Sequence, residues 1–255
     1  MKYKITFIGS GNVATNLAHA FDSAGHTINQ VVSRNEEHAK ALASKFGAYY
    51  GISLSEIHND SDFILICVND EVYKEVIGQF PHGIKSIICH TSGPVRMDVL
   101  GDYATEYGVI YPLQSLTKDN VKSMLEVPVF IEWSSNNSKE KIRDLADSIS
   151  NRVRDVNSDD RMKYHIAAVF ANNFSNLMYV LAKDYLDSHE LDFKNLLPII
   201  EETALRLRQN NPRNVQTGPA KREDIAIVDK HLSMLSNIEL KEIYKKLSHY
   251  IMTEL

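Results

Sequence analysis

The sequence predicts an α/β protein: a mostly parallel sheet followed by a smaller all-α part that a long linking helix opens. Three observations predict it. Short apolar runs alternate with helical patterns from Ile5 to about Val156. Gly9-Ser10-Gly11-Asn12-Val13-Ala14 falls between the first strand-like run and the first helical pattern. Beyond Val156 the strand-like runs stop and only helical periodicity remains. The domain boundary is therefore expected near residue 157, with residues 1–157 forming one domain and 158–255 the other.

The first element is the apolar run Ile5, Phe7, Ile8, a buried strand feeding a helix with Val13, Leu17, Ala20 and Phe21. The pattern between them is G-x-G-x-x-A, and each small residue has a physical role. Gly9 permits a tight turn, Gly11 lets backbone approach a pyrophosphate, and Ala14 keeps the helix close to the sheet. The free N–H groups of the first helical turn then face an anion. In this strand–turn–helix context the motif reads as dinucleotide binding by a Rossmann-type domain through Gly9, Ser10, Gly11, Asn12 and Val13. The alternative is a glycine turn that binds nothing.

Ile28–Ser33 reads as the second strand and Glu36–Phe46 as the helix after it. An NAD-preferring domain places an acid at the end of this strand, to accept from the ribose 2′-OH. Here that place holds Ser33-Arg34-Asn35. Arg34 is suited to a 2′-phosphate, with Ser33 and Asn35 as further donors, so NADP is the expected cofactor. A solvated arginine is the other reading.

Ala48–Tyr50 is a short third strand. Phe63–Val68 is apolar throughout, as a parallel strand covered on both faces must be. Val68 and Asn69 at its end fall on the cofactor side. Ser86–Cys89 leads into His90-Thr91-Ser92-Gly93-Pro94, and Gly108–Ile110 into Tyr111-Pro112-Leu113-Gln114-Ser115. In open α/β sheets ligands sit at the carboxyl ends of the strands, so these polar clusters read as one cleft. Val127–Trp133 and Arg152–Val156, flanking a helix near Lys139–Ser150, complete about eight strands.

The remaining helices are expected over Asp159–Ser188, Phe193–Asn210, Asp224–Leu235 and Ile238–Glu254. At about 100° per residue, Ile166, Phe170, Phe174, Leu177 and Leu181 share one side of the long helix. His165, Asn172, Asn176 and Lys183 fall within roughly 40° on the other side. Periodicity alone allows a plain amphipathic helix with a wet face. Yet Asn is a poor helix former, and Asn172, Asn173 and Asn176 crowd two turns just where a linking helix must pass the cleft. The stripe is therefore expected to face the cleft, with Ile166, Phe170 and Leu177 buried behind it. Asn210–Asp224 is a long loop carrying Arg213, Lys221 and Arg222, either functional or simply solvated.

A chain of 255 residues with net charge −5 has no general attraction to nucleic acid or an anionic membrane. No apolar run reaches the roughly 20 residues of a membrane span, and Met1-Lys2-Tyr3 leads straight into the first strand without a signal peptide. The two cysteines, Cys67 and Cys89, lie inside apolar runs and read as core residues of a reduced cytoplasmic protein, not as a metal site. About 100 residues bury limited surface alone, so the helical part is expected to form a homodimer.

The layout resembles the superfamily of pyrroline-5-carboxylate reductase, 3-hydroxyisobutyrate dehydrogenase and 6-phosphogluconate dehydrogenase. Within it, the chain is similar to a bacterial family, labelled NADP oxidoreductase, that pairs a Rossmann-like domain with a C-terminal domain of unknown function. The residues that carry the resemblance are His90-Thr91-Ser92-Gly93, Pro112-Leu113-Gln114-Ser115, Thr217-Gly218-Pro219-Ala220-Lys221-Arg222-Glu223-Asp224 and His231-Leu232. Three positions depart from these patterns. Tyr111 stands where the family has His before Pro-Leu, and Glu223 where the loop has Gly. Val169 stands where the hydroxyacid dehydrogenases carry a catalytic Lys, three residues before the pair Asn172-Asn173.

The resemblance implies an NADP-dependent oxidoreductase that moves hydride between NADPH and a small carbonyl or imine compound. His90, Ser92, His165 and Asn172 are the candidate catalytic residues. Tyr111, Gln114, Asn173, Asn176, Lys221 and Arg222 are candidates for the substrate pocket, the last two suggesting an anionic substrate. Charge left on the acceptor needs a donor or a proton, which His90, His165 and Tyr111 can supply. The alternative is an NADP-binding regulatory or scaffold protein without catalysis, as the missing lysine suggests.

Overall fold

The structure is a computed structural model describing residues 1–81 and 83–255. It divides into two compact units, Met1–Asn172 and Asn173–Leu255.

The first unit contains an eight-stranded sheet in the order β3-β2-β1-β4-β5-β6-β7-β8. Its strands are β1 Lys4–Ile8, β2 Thr27–Val32, β3 Tyr49–Gly51, β4 Phe63–Ile66, β5 Ile87–His90, β6 Tyr107–Pro112, β7 Val129–Trp133 and β8 Val153–Asp155. All neighbouring pairs are parallel except β6–β7, where Val109 faces Glu132 and Ile110 faces Ile131. The expected mostly parallel α/β sheet is thus present. The order reverses at β1, whose two neighbours are β2 and β4.

The continuous apolar run of β4 has a direct cause. Phe63 and Leu65 enter one core with Leu17 and Phe21, whereas Ile64 and Ile66 enter another with Tyr73 and Ile77. Alternate residues serve opposite faces, so both must be apolar. The first core is covered by α1 Asn12–Ser23, α2 Glu36–Ala43 and, later in the chain, α4 Asn136–Asp147; the second by the short α3 Tyr73–Ile77. Both cysteines are free and buried. Caps set the helix starts: Asn35 accepts from the His38 N–H, Ser135 from that of Ser138, and Asn157 from that of Asp160.

The alternation of strand and helix ends at Asp155, but the division between units falls after Asn172. Helix α5, Ser158–Ala168, belongs to the first unit, and Arg161 holds it there. The expected single helix Asp159–Ser188 is three pieces: α5, a π-helical turn at Val169–Phe174, and α6 Ser175–Asp187. A π turn runs with i→i+5 bonds, so counting 100° per residue across it loses phase. Ile166, Phe170 and Leu177, expected behind a polar face, are 52%, 65% and 44% exposed.

The second unit is helical: α6, α7 Leu197–Arg206, α8 Pro212–Val215, α9 Ile225–Met234 and α10 Ile238–Glu254. The short α8 lies inside the expected loop Asn210–Asp224. Asp224 and Asn237 cap α9 and α10. No helix among the described residues is long and apolar enough to cross a membrane.

Candidate active site

A cleft of about 520 Å³ opens beyond the carboxyl ends of β1, β2 and β4. Ile8, Val32 and Cys67 form its floor; Gly9, Ser10, Gly11 and Asn12 form one wall. Gly9 sits at φ +104°, and a Cβ there would lie 2.3 Å from the Cys67 carbonyl oxygen. The turn off β1 therefore excludes any side chain. Gly11 differs: its φ is −83°, and a Cβ would meet nothing within 4 Å. The fold itself makes no demand for glycine at 11. The residue leaves open space beside the first turn of α1, which receives no side-chain cap and carries no acid. Uncapped amides, the positive end of the helix and room for close approach together fit a dinucleotide pyrophosphate.

Ser33 and Arg34 line the same cleft, with Arg34 exposed and Ser33 accepting from Ser10 Oγ at 2.9 Å. Val68 and Asn69 line it from the end of β4. Val13 and Asn35 are not among the lining residues: Val13 packs against the core under α1, and Asn35 Oδ1 accepts from the His38 N–H at the start of α2. The cleft residues that escaped the sequence reading include His38 on α2 and Lys118 in the loop after β6. No motif marks either, since only the folded chain brings that loop to the glycine turn.

The carboxyl ends of β5 and β6 form a second polar group. Ser92 Oγ donates to Asp70 Oδ1 at 2.5 Å and accepts from the Val95 N–H. His90 is 0% exposed, and its Nδ1 accepts from the Ser92 N–H at 3.2 Å. That bond assigns the ring proton to Nε2, which has no hydrogen-bond partner among the described residues. Burial, with the Arg161 charge adding to it, pushes the His90 pKa down to about 3. The ring is therefore neutral and enclosed. It does not fit the expected role of proton donor and instead shapes the Ser92 turn.

Tyr111 and His165 do meet. The Tyr111 hydroxyl lies 3.3 Å from His165 Nδ1. Gly93 permits this, because a Cβ there would come within 2.6 Å of His165 Nδ1 and 3.0 Å of Tyr111 Cζ. Burial raises the Tyr111 pKa, and the nearby Asp70 charge raises it further, so the phenol keeps its proton.

Arg161, fully buried, braces this turn. It donates to Glu132 Oε2 at 2.5 Å, to the Val95 carbonyl at 2.6 Å and to the Gly93 carbonyl at 3.3 Å. Ser158 closes the network, donating to Glu132 and accepting from the Met97 N–H. The sequence reading missed Arg161. An arginine on an amphipathic helix ordinarily reads as solvated, and nothing local shows that carbonyls converge on it.

Gln114 is exposed and turns back to accept from the Ser115 N–H. Asn172 lies exposed in the π turn. Asn173, Asn176, Lys221 and Arg222 belong to the second unit, and there Lys221 Nζ donates to the Leu255 main-chain oxygen at 2.7 Å. Glu223, at the family's glycine position, holds φ +55°. The left-handed turn is thus kept with a side chain that disfavours it.

Comparison with known proteins agrees with this architecture. Residues 4–90 match the family described as NADP oxidoreductase, coenzyme F420-dependent, and residues 127–251 match the domain of unknown function DUF2520. A Bacteroides fragilis protein described as a candidate NADP oxidoreductase is 36% identical, covering 98% of both chains with a TM-score of 0.91. Pyrroline-5-carboxylate reductase of Streptococcus pyogenes is 17% identical over 99% of both chains, with a TM-score of 0.65. A reductive aminase of Aspergillus terreus, solved with NADPH and ethyl levulinate, is 13% identical over 100% of this chain and 87% of that one, with a TM-score of 0.65. No curated protein sequence matches. With a glycine-turn cleft in the first unit, a helical second unit and 36% identity over nearly the whole length, the chain belongs to the NADP-dependent oxidoreductase family that joins a Rossmann-type domain to a DUF2520 domain.

Proposed function

We propose that the protein reduces a small carbonyl or imine compound with NADPH. The observation that carries this reading is the Tyr111–His165 pair, held over Gly93 at the carboxyl ends of the central strands. NADPH, when bound, supplies the hydride. Gly9 to Asn12 and the first turn of α1 hold the pyrophosphate, Ser33 and Arg34 the 2′-phosphate, and Val68 and Asn69 the floor beyond. Tyr111, protonated at neutral pH, donates to the heteroatom on which negative charge develops. His165 shares a hydrogen bond with that phenol and is placed to restore its proton. Ser92, fixed between Asp70 and Val95, keeps the turn in place, with His90 as its buried support. Asn172, the last residue of the first unit, borders the substrate in this reading.

The exposure of Ile166, Phe170 and Leu177 supports a homodimer built through helices after residue 158. The boundary near residue 157 remains a functional division, since the nucleotide-binding sheet ends there. The test is NADPH oxidation against a panel of keto acids and cyclic imines, with Tyr111→Phe as control. Turnover that falls at least tenfold in the variant supports the reading. A protein that binds NADPH and turns over nothing is the scaffold instead.

A further inference from the structure

We infer that Lys118 is the cation of the pyrophosphate site, carried there by the loop that follows β6. The inference rests on the NADP reading of the cleft. Lys118 lies more than a hundred positions from the glycine turn, yet it lines the same cleft as Gly9, Gly11 and Asn12. Its position is fixed by two anchors on α1. The Lys118 N–H donates to Asn12 Oδ1 at 3.0 Å, and Asn16 Nδ2 donates to the carbonyl of the preceding Thr117 at 2.9 Å. Asn16 is only 1% exposed, and its amide also donates to the Asn12 carbonyl, so this tie is built into the helix rather than resting on its surface.

Asn12 is the first residue of α1, where the pyrophosphate is expected. The residue tied to it by a main-chain bond therefore stands at that end of the cleft. A pyrophosphate carries two negative charges, and a helix N-terminus offers only about half a positive charge. Arg34, the other strongly basic group on the cleft wall, follows β2, where a ribose 2′-phosphate is read. The glycine turn contributes amides but no formal charge. Lys118 supplies that charge, and the loop after β6 becomes a second wall of the cofactor site. An ammonium is a point charge on a flexible stem, so it contacts phosphate without reading the 2′ position.

The test is fluorescence titration of the full chain with NADPH and with NADH, for the native protein, Lys118→Gln, Lys118→Arg and Arg34→Ala. Circular dichroism confirms that each is folded. Lys118→Gln is expected to weaken both cofactors by a similar factor, about five- to tenfold. The NADPH-to-NADH ratio should stay unchanged and the salt dependence of binding should become shallower. Lys118→Arg should recover most of the loss, and Arg34→Ala should change the ratio instead. Native affinity for both cofactors in Lys118→Gln overturns the inference while leaving the NADP reading intact. So does a loss confined to NADPH, which would put Lys118 on the 2′-phosphate. A native protein that binds neither cofactor overturns the NADP reading itself.

Discussion

The Tyr111 hydroxyl lies 3.3 Å from His165 Nδ1, beside Gly93, where a Cβ would come within 2.6 Å of the histidine. Gly93→Ala therefore forces the two side chains apart without touching the cofactor cleft. Turnover is expected to fall at least tenfold, as for Tyr111→Phe and His165→Ala, while NADPH affinity stays within twofold. Steady-state kinetics beside a binding titration separates the two effects. A Gly93→Ala enzyme with native kcat removes the pair from the mechanism.

Cofactor choice rests on Arg34 at the end of β2. The native protein is expected to bind NADPH at least tenfold tighter than NADH, about 1.4 kcal/mol. Arg34→Ala should erase most of that gap and leave NADH unaffected. Equal native affinity for the two cofactors refutes the assignment.

Arg161 is fully buried and satisfies one carboxylate and two carbonyls. Removing its head group leaves Glu132 with only the Ser158 hydroxyl as donor and takes the guanidinium from both carbonyls. Arg161→Met is expected to destabilise the first unit by about 3–5 kcal/mol, the usual consequence of breaking a buried pair. Urea unfolding read by near-ultraviolet circular dichroism measures it. A loss below 1 kcal/mol would show that water replaces the guanidinium.

His90 should make the protein acid-labile. Its folded-state pKa is about 3, below the ordinary 6.5, because burial disfavours the imidazolium. Between those values the unfolded chain binds a proton that the native chain does not. The contribution is therefore fully present above about pH 6.5 and declines as pH falls, by up to about 1.4 kcal/mol per pH unit. His90→Asn is expected to give a shallower stability curve between pH 6 and 4. Burial also lowers the His26 pKa, so the curve flattens only in part. An unchanged slope would mean that a protonated His90 is accommodated in the fold.

Glu223 holds φ +55°. A side chain in that conformation costs about 1–2 kcal/mol, part of which glycine returns through its greater freedom in the unfolded chain. Glu223→Gly is expected to stabilise the second unit by about 0.5–1 kcal/mol in thermal unfolding. A destabilised variant would show that the carboxylate makes a compensating contact.

What the sequence by itself determined is what depends on neighbours along the chain. The apolar runs that became β1, β4 and β5 and the glycine turn after β1 all lie within a few residues of the structure they specify. Period and turn chemistry are local, so they could be read directly. The nucleotide cleft followed, because the end of β1, the start of α1 and the end of β2 are close in sequence as well as in space. Other features were decided only by tertiary structure. Gly93 reads as a turn residue until His165, on a helix far along the chain, arrives above it. His90 reads as a proton donor until burial on every side neutralises it. Arg161 reads as solvated until two carbonyls and Glu132 converge on it. The polar stripe of the long helix loses its phase at a π turn that no periodicity announces. In each case the deciding quantity is desolvation or contact between segments tens of residues apart, and the chain acquires it only when the sheet is assembled.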